Sequence, residues 1–376
     1  MATRRVSSRA HGFLQSLLEG QRLHYHRPQE FGKFAVVPVS LANVAAVPPR
    51  GYQVLAELSR GVRIEETGSV PRLRITNSLA EPLLVVEGQL LVGGLQNRVA
   101  TVTVLIGPGD TVEIPVACVE AGRWHPRMHQ TERPEEWAQP HTGRRRRRET
   151  APQPPWGESA DPKQDWKTTD FLFARAKARS VMAINASVRE WGTLNTDQGG
   201  IWEEVAAKLH RLRSHSPTSD VTSAYRKAER ELDEYLRNLR SEPGQVGFVA
   251  AIANRIVGAE LFDHPDTLAS LYSRLLRGYA LDALTADDEP AHPPAETNAK
   301  CESETAAPFT DQVARRFVQN ALEAESIAAP AIGLGEQVRI QGTAVAGSAL
   351  VALDRVIHLS LFEQQRSRVG RPWPRS

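Results

Sequence analysis

Apolar and polar residues alternate with period two over residues 62–66, 73–76, 99–106 and 111–119, and residues 83–86 form a short apolar run. Period two places successive side chains on opposite faces of a strand. Between these segments, residues 77–82 and the Gly-Pro-Gly-Asp of 107–110 carry turn chemistry. Short strands at this spacing predict an antiparallel sandwich or open barrel. Residues 34–41 add a β-rich segment, and Pro38 predicts that it lies at an edge, because proline cannot donate to a ladder.

Farther along, the period becomes helical. Ile201, Val205, Leu209 and Leu212 recur every three or four residues, and Val221, Tyr225, Ala228, Leu232, Tyr235 and Leu239 mark one face of a longer helix. Thr218 or Ser219 is placed to cap that helix, with Asp220 in its first turn. Residues 244–257 read as a hairpin that turns at Ala253-Asn254. Pro265 stands near the first position of the next helix, whose face is Leu268, Leu271, Leu275 and Tyr279. Residues 309–325 predict another helix. Strand pattern returns over 344–353 and 356–362 around a turn at Asp354-Arg355. The predicted class is α+β: an antiparallel β-rich N-terminal part packed with a helical middle and a C-terminal β-hairpin, in one domain over residues 34–362.

Other stretches carry no such pattern. Residues 1–33 are a basic, polar lead-in with one apolar cluster (Leu14, Leu17, Leu18) and at most a short helix. Residues 126–168 hold five consecutive arginines, Arg144 to Arg148, with Pro152, Pro154, Pro155 and Pro162. Residues 287–308 are rich in Pro, Ala, Glu and Thr and contain Cys301. Neither can bury enough apolar surface to offset its ordering entropy, so both are expected to be disordered inserts, and residues 363–376 a disordered tail.

Charge and cysteine content narrow the function classes. Forty-six Lys and Arg face 44 Asp and Glu, a formal net charge of +2, which excludes a globally basic nucleic-acid binder. The arginine run has no interleaved aromatic residue and is flanked by Glu132, Glu135, Glu136 and Glu149. It reads as a solvated stretch, and nucleic-acid binding through it is the weakest alternative. No window of membrane-spanning length is free of charge, so no membrane partner is expected. Two cysteines build no disulfide framework, and no apolar region follows Arg4-Arg5, which together predict a cytoplasmic protein.

No zinc, P-loop or nucleophile-elbow motif occurs, so neither a metal nor a cofactor is expected. The densest chemistry lies in residues 87–98 and 116–124. Cys118 and Glu120 share one face of a strand, Gly122 lets the chain turn, and Arg123 and Trp124 follow at its exit. An arginine fork and a stacking indole beside a carboxylate suit a phosphate, a nucleobase or a carboxylate ligand. The plainer account is a Glu120–Arg123 salt bridge plugged by Trp124. Cys118 with His358 is a possible thiolate–imidazole pair, against a small buried hydrophobe and a core histidine. Gln198-Gly-Gly precedes a helix and could face an anion with its backbone N–H groups, against a simple loop and cap.

These same segments resemble a known family. Glu87-Gly, Leu91-Val-Gly93, Gln96-Asn-Arg98, Ile114-Pro-Val116, Cys118-Val-Glu120 and Gly122-Arg-Trp124 are similar to the signature of the ADP-ribosylglycohydrolase- and rhodanese-phosphatase-associated protein family, type one. Shorter matches follow at Gln198-Gly, Gly244-Gln-Val-Gly247, Leu261-Phe-Asp263, Asp282-Ala-Leu284 and His358-Leu. Ala117, Leu95 and Glu260 depart from the residues usual there. The resemblance implies a role linked to NAD or ADP-ribose, with ADP-ribose-handling enzymes as partners. On that reading a nucleotide-like ligand is bound, with processing of it as a further option. Arg98 and Arg123 hold its phosphates, Trp124 stacks, and Asn97 offers a polar contact. Glu120 accepts from a ribose hydroxyl or acts as general base, and Gln198 and His358 complete the rim, His358 as a second catalytic candidate. The rival reading is a non-catalytic scaffold or partner-binding module.

Overall fold

The computed structural model describes residues 8–19, 22–43, 47–57, 60–122, 166–286 and 308–364. Both predicted inserts, apart from residues 166–168 and Pro308, lie outside the described residues, as do the arginine run, Cys301, Arg123 and Trp124. The chain opens with α1 (Ser8–Glu19), β1 (Leu23–Tyr25), β2 (Gln29–Phe31) and β3 (Phe34–Leu41). Eight short strands follow: β4 (Gln53–Val54), β5 (Val62–Glu66), β6 (Arg72–Asn77), β7 (Leu83–Val85), β8 (Gln89–Val92), β9 (Arg98–Ala100), β10 (Val104–Ile106) and β11 (Thr111–Cys118). The middle holds β12 (Lys167–Phe171), α2 (Ala174–Trp191), α3 (Gln198–Arg211), α4 (Thr222–Lys227) and α5 (Glu229–Asn238). Then come β13 (Gln245–Ile252), β14 (Arg255–Phe262), α6 (Pro265–Leu284) and α7 (Asp311–Glu323). The C-terminal strands are β15 (Glu325–Pro330), β16 (Glu336–Gln341), β17 (Val345–Ala352) and β18 (Arg355–Glu363). The class is α+β.

The largest sheet runs β1-β3-β13-β14-β18-β17-β16-β15, with β2 beside β1 on β3. Its central strands β3, β13, β17 and β18 are buried on both faces. Phe34 and Val36 of β3 join a core that contains residues of α2 and α6, whereas Ala35, Val37 and Val39 join one that contains residues of α1 and α7. The alternation is therefore apolar on both sides, as a sheet covered by two helical layers requires. The β-rich N-terminal part forms two smaller sheets, β12-β8-β9-β11-β6-β5 and β10-β7-β4, around a core of their own that includes Leu73, Ile75, Leu83, Val85 and Ile106.

Several local expectations change. The lead-in contains α1 and β1: Leu14 and Leu18 of α1 and Leu23 of β1 are buried under the large sheet, so it supplies part of the sheet's cover. β3 is interior, and Pro38 sits where β1 hands over to β2, so its missing N–H interrupts no ladder there. The long helix predicted from Val221 is two helices, α4 and α5, parted at Ala228. Asp220, rather than Thr218 or Ser219, holds the first turn by accepting from the N–H of Thr222 at 3.0 Å.

Two tight hairpins shape the large sheet, and both turn through residues with positive φ. These are Ala253 (48°) and Asn254 (60°) between β13 and β14, and Leu353 (50°) and Asp354 (58°) between β17 and β18. The second turn lies one residue earlier than the sequence predicts. Both have the left-handed pairing of a type I′ loop, which suits Asn and Asp and strains Ala and Leu. Leu353 is 43% exposed and contributes little packing. Leu353→Gly is expected to raise the unfolding free energy by roughly 0.5–1 kcal/mol, as the relief of left-handed strain exceeds the entropy glycine adds to the unfolded chain. Urea unfolding at unchanged slope checks it.

Candidate functional site

Four residues singled out in the sequence converge at the end of β11. Beyond the last pairing with β6, the backbone of Cys118 donates to Gln198 Oε1 (2.7 Å) and accepts from Gln198 Nε2 (2.9 Å), so the first side chain of α3 replaces a neighbouring strand. The Glu120 carboxylate accepts from the N–H of Asn97 (3.2 Å) and the hydroxyl of Thr218 (2.8 Å). Asn97 Nδ2 donates to Asp220 (2.9 Å), and Gln96 Nε2 donates to the Glu120 carbonyl (3.1 Å). Arg98 donates to Gln96 Oε1 (2.6 Å) and lies 3.6 Å from Glu66. Asn97, Arg98 and Glu120 are buried, and Gln198 is half-buried. The cluster ties the N-terminal sheet to α3 and to the turn before α4.

Cys118 is fully buried, and burial pushes its thiol up, with Arg98 opposing and Glu66 adding to the shift. A raised pKa leaves little thiolate at neutral pH. His358 is not its partner. Cys118 Sγ contacts Arg98 Nη1 (2.9 Å) and Gln96 (3.2 Å), whereas His358 lies in a second polar cluster within the large sheet.

That second cluster is a row across four adjacent strands. Glu260 of β14 stands opposite Ser360 of β18, Ser360 opposite Ser348 of β17, and Ser348 opposite Arg339 of β16. Each surrounding layer adds a group to it. Lys177 of α2 donates to Glu260 Oε1 at 2.6 Å, and Tyr279 of α6 donates to the same oxygen at 2.9 Å. His358 Nε2 lies 2.9 Å from Glu260 Oε2; a carboxylate only accepts, so this nitrogen carries the proton. His358 Nδ1 meets the hydroxyl of Thr103 at 2.8 Å, and that hydroxyl accepts from the N–H of Glu87. Glu87, from the β7–β8 turn, takes hydrogen bonds from Ser360 (2.7 Å) and Ser348 (2.8 Å). Burial alone would raise the Glu260 carboxyl, but Lys177 and His358 outweigh it and hold it below its usual range.

The third feature is a cleft of about 840 Å³ between α2, α3, the β13–β14 hairpin and the end of α6. Arg175, Arg179, Arg189, Lys208, Arg211 and Arg255 line it, against Asp197, Glu204, Asp282 and Glu363. Six positive and four negative side chains leave a surplus of two positive charges. Ala178, Met182, Ile252 and Val257 supply apolar wall. At its base, Lys208 Nζ bonds Asp282 and Thr285 (both 2.5 Å) and lies 4.7 Å above the ring of Phe173. The sequence pattern assigns none of these cations to a site and misses Lys177 and Arg339 as well, while Glu87 appears in it only as part of a motif. The available signal was an ionisable residue set among apolar neighbours, as with Arg339 between Val338 and Ile340.

Among the described residues, no group of three His, Cys, Asp or Glu is arranged to hold a metal, and no helix is long and apolar enough to cross a membrane. The family model for the ARG and Rhodanese-Phosphatase-superfamily-associated Protein domain, ARPP-1, matches residues 22–362. No curated protein and no solved structure gives a match.

A buried ion pair is costly to break from one side, so Glu260→Gln is expected to lose roughly 3–5 kcal/mol of stability at neutral pH. The pH dependence has a definite sign. A carboxyl depressed in the folded state stabilises above its unfolded pKa, and that contribution fades as pH falls through the folded value. The gap between wild type and Glu260→Gln should be full above about pH 5 and should narrow as pH falls below 4.5, the ordinary value. Chemical denaturation across that range measures it.

Proposed function

The chain belongs to the ARPP-1 family, and from that premise and the charge of its cleft we propose that it binds a nucleotide-like, phosphate-bearing small molecule such as ADP-ribose. The observation that carries this reading is the cleft between α2 and α3, which gathers six cationic side chains around a partly apolar wall. Its volume falls within the roughly 300–1,000 Å³ typical of small-molecule sites. Arginine forks suit phosphate oxygens, and the apolar wall suits a base or ribose face. The ADP-ribose class comes from the family's named association with ADP-ribosylglycohydrolase-type proteins, an argument by association. Cytoplasmic location and work alongside ADP-ribose-handling enzymes belong to the same proposal.

In this reading, the polar residues prominent in the sequence position the cleft. Gln198 pins the start of α3, the helix that presents Glu204, Lys208 and Arg211. Glu120, Asn97 and Arg98 brace the strand to which Gln198 is bonded, and His358 braces the sheet beneath α2. Their burial supports positioning over direct ligand contact. The same internal bonding favours the second reading, a scaffold whose polar residues serve only the fold.

Calorimetry separates the two. ADP-ribose, NAD and ADP are titrated into wild type and into an Arg175→Ala/Arg255→Ala variant. Both side chains are more than half exposed, so stability should stay near native. The binding reading expects at least one ligand to bind wild type, weakening with salt and at least about tenfold in the variant, as the loss of two charge-assisted contacts implies. If wild type binds none of the three, the nucleotide reading fails and the scaffold takes its place.

A further inference from the structure

A strand at the edge of a sheet presents a row of N–H and C=O groups to any chain that can pair with it, and proteins blunt such edges by shortness, charge or a bulge. Among the described residues this chain does so at every edge but one. β1, β2, β4 and β10 have three residues or fewer. β5 carries Arg63, Glu65 and Glu66. β12 carries Lys167 and Asp170, and its register shifts between Thr168 and Phe171. β15 is the exception. It ends the nine-stranded sheet, has six residues, pairs with β16 without a shift and carries no charge from Ser326 to Pro330. No described strand lies on its outer side.

The end of α2 stands beside this edge. Arg189 pairs with Glu325 at the head of β15, and Val188 and Leu194 line one small cavity together with Ile327 and Ala329. Trp191, between them in the chain, is 71% exposed. Tryptophan carries a large apolar area and is enriched among the anchors of protein interfaces. We infer that β15 pairs antiparallel with β15 of a second copy of this chain about a two-fold axis, with Trp191 covering the junction. The strand's own residues select a second copy. A two-fold centred on Ala328 sets Ile327 opposite Ala329 of the second copy, apolar against apolar on one face of the joined sheet. Glu325, the one charge of the strand, then falls outside the paired stretch. The two copies of Glu325 lie roughly 20 Å apart along the strands, well beyond the Debye length of roughly 8 Å at physiological salt. The far end of the sheet is blunted by the shortness of β1 and β2, so the assembly closes at two copies. The contact does not depend on what the cleft binds.

Sedimentation of the full chain across a concentration series is expected to reach twice the mass of one chain. Ala328→Lys and Ala328→Glu each set two like charges directly opposite one another at the axis, so each variant alone should sediment as one chain. Mixed, the two should regain the double mass, because the facing charges are then opposite in sign. That recovery also shows that both variants are folded. Trp191→Ser changes a side chain that lies mostly in water, so its melting temperature should stay native while association weakens at least about tenfold. One-chain mass for wild type at every concentration, double mass in either charged variant alone, no recovery on mixing, or undiminished association of Trp191→Ser would each overturn the inference.

Discussion

The Lys177–Glu260 ion pair, 2.6 Å long and closed off from solvent, sits against the middle of the nine-stranded sheet. Everything around it is arranged to make its burial tolerable. Tyr279 and His358 add the second and third hydrogen bonds to the carboxylate, so α6 and β18 must be in place for both its oxygens to be satisfied. Ser360, next along the row, carries the demand to Glu87 and hence to the N-terminal sheets. Well-packed apolar residues would often serve stability as well or better. What the polar row adds is uniqueness. A slip of one residue in β14, β17 or β18 would turn its charged or hydroxyl residues to the opposite face, away from every partner.

The two polar clusters divide the work between them. The row through Glu260 joins the large sheet to α2, α6 and the N-terminal sheets. The cluster around Glu120 and Gln198 joins the N-terminal sheets to α3. Helices α2 and α3 both line the charged cleft, and each is anchored by one cluster. Exposed ion pairs also join the two helices, Arg175 to Glu204 and Arg179 to Asp197 and Glu203, but such pairs contribute little on their own.

Much of this was legible in the sequence, for physical reasons. The strands at 62–66, 73–76 and 111–118, the β13–β14 hairpin and α6 carry strong periodicity or turn chemistry, and the structure has them where the pattern predicts, whereas the alternating run 99–106 is divided into β9 and β10, which lie in different sheets. Helix α2 left no such trace because its buried face includes Ala174, Ala176, Lys177, Ser180 and Asn185, small or polar residues that give no apolar stripe. The grouping of Asn97, Arg98 and Glu120 was legible from motif density and strand alternation. Their burial was not, since a sheet's outer cover comes from distant segments, here Thr218 and Gln198. The charged cleft was invisible for the same reason: its cations come from α2, α3 and the β13–β14 hairpin, and no local spacing links them.

The sheet order has a consequence for how the protein comes into being. Glu87 is bound by Ser360, which lies 273 residues later in the chain. At a synthesis rate of roughly 5–20 residues per second, the earlier residue waits roughly 14–55 s for its partner to be made. Lys177 and Glu260 can meet earlier, but β14 gains its neighbour only when β18 emerges, and β18 is itself the bridge to β17, β16 and β15. The central sheet therefore closes only once β18 has been made. Until then the edge of β14 is an open template for pairing with other nascent chains, a hazard set by strand order alone.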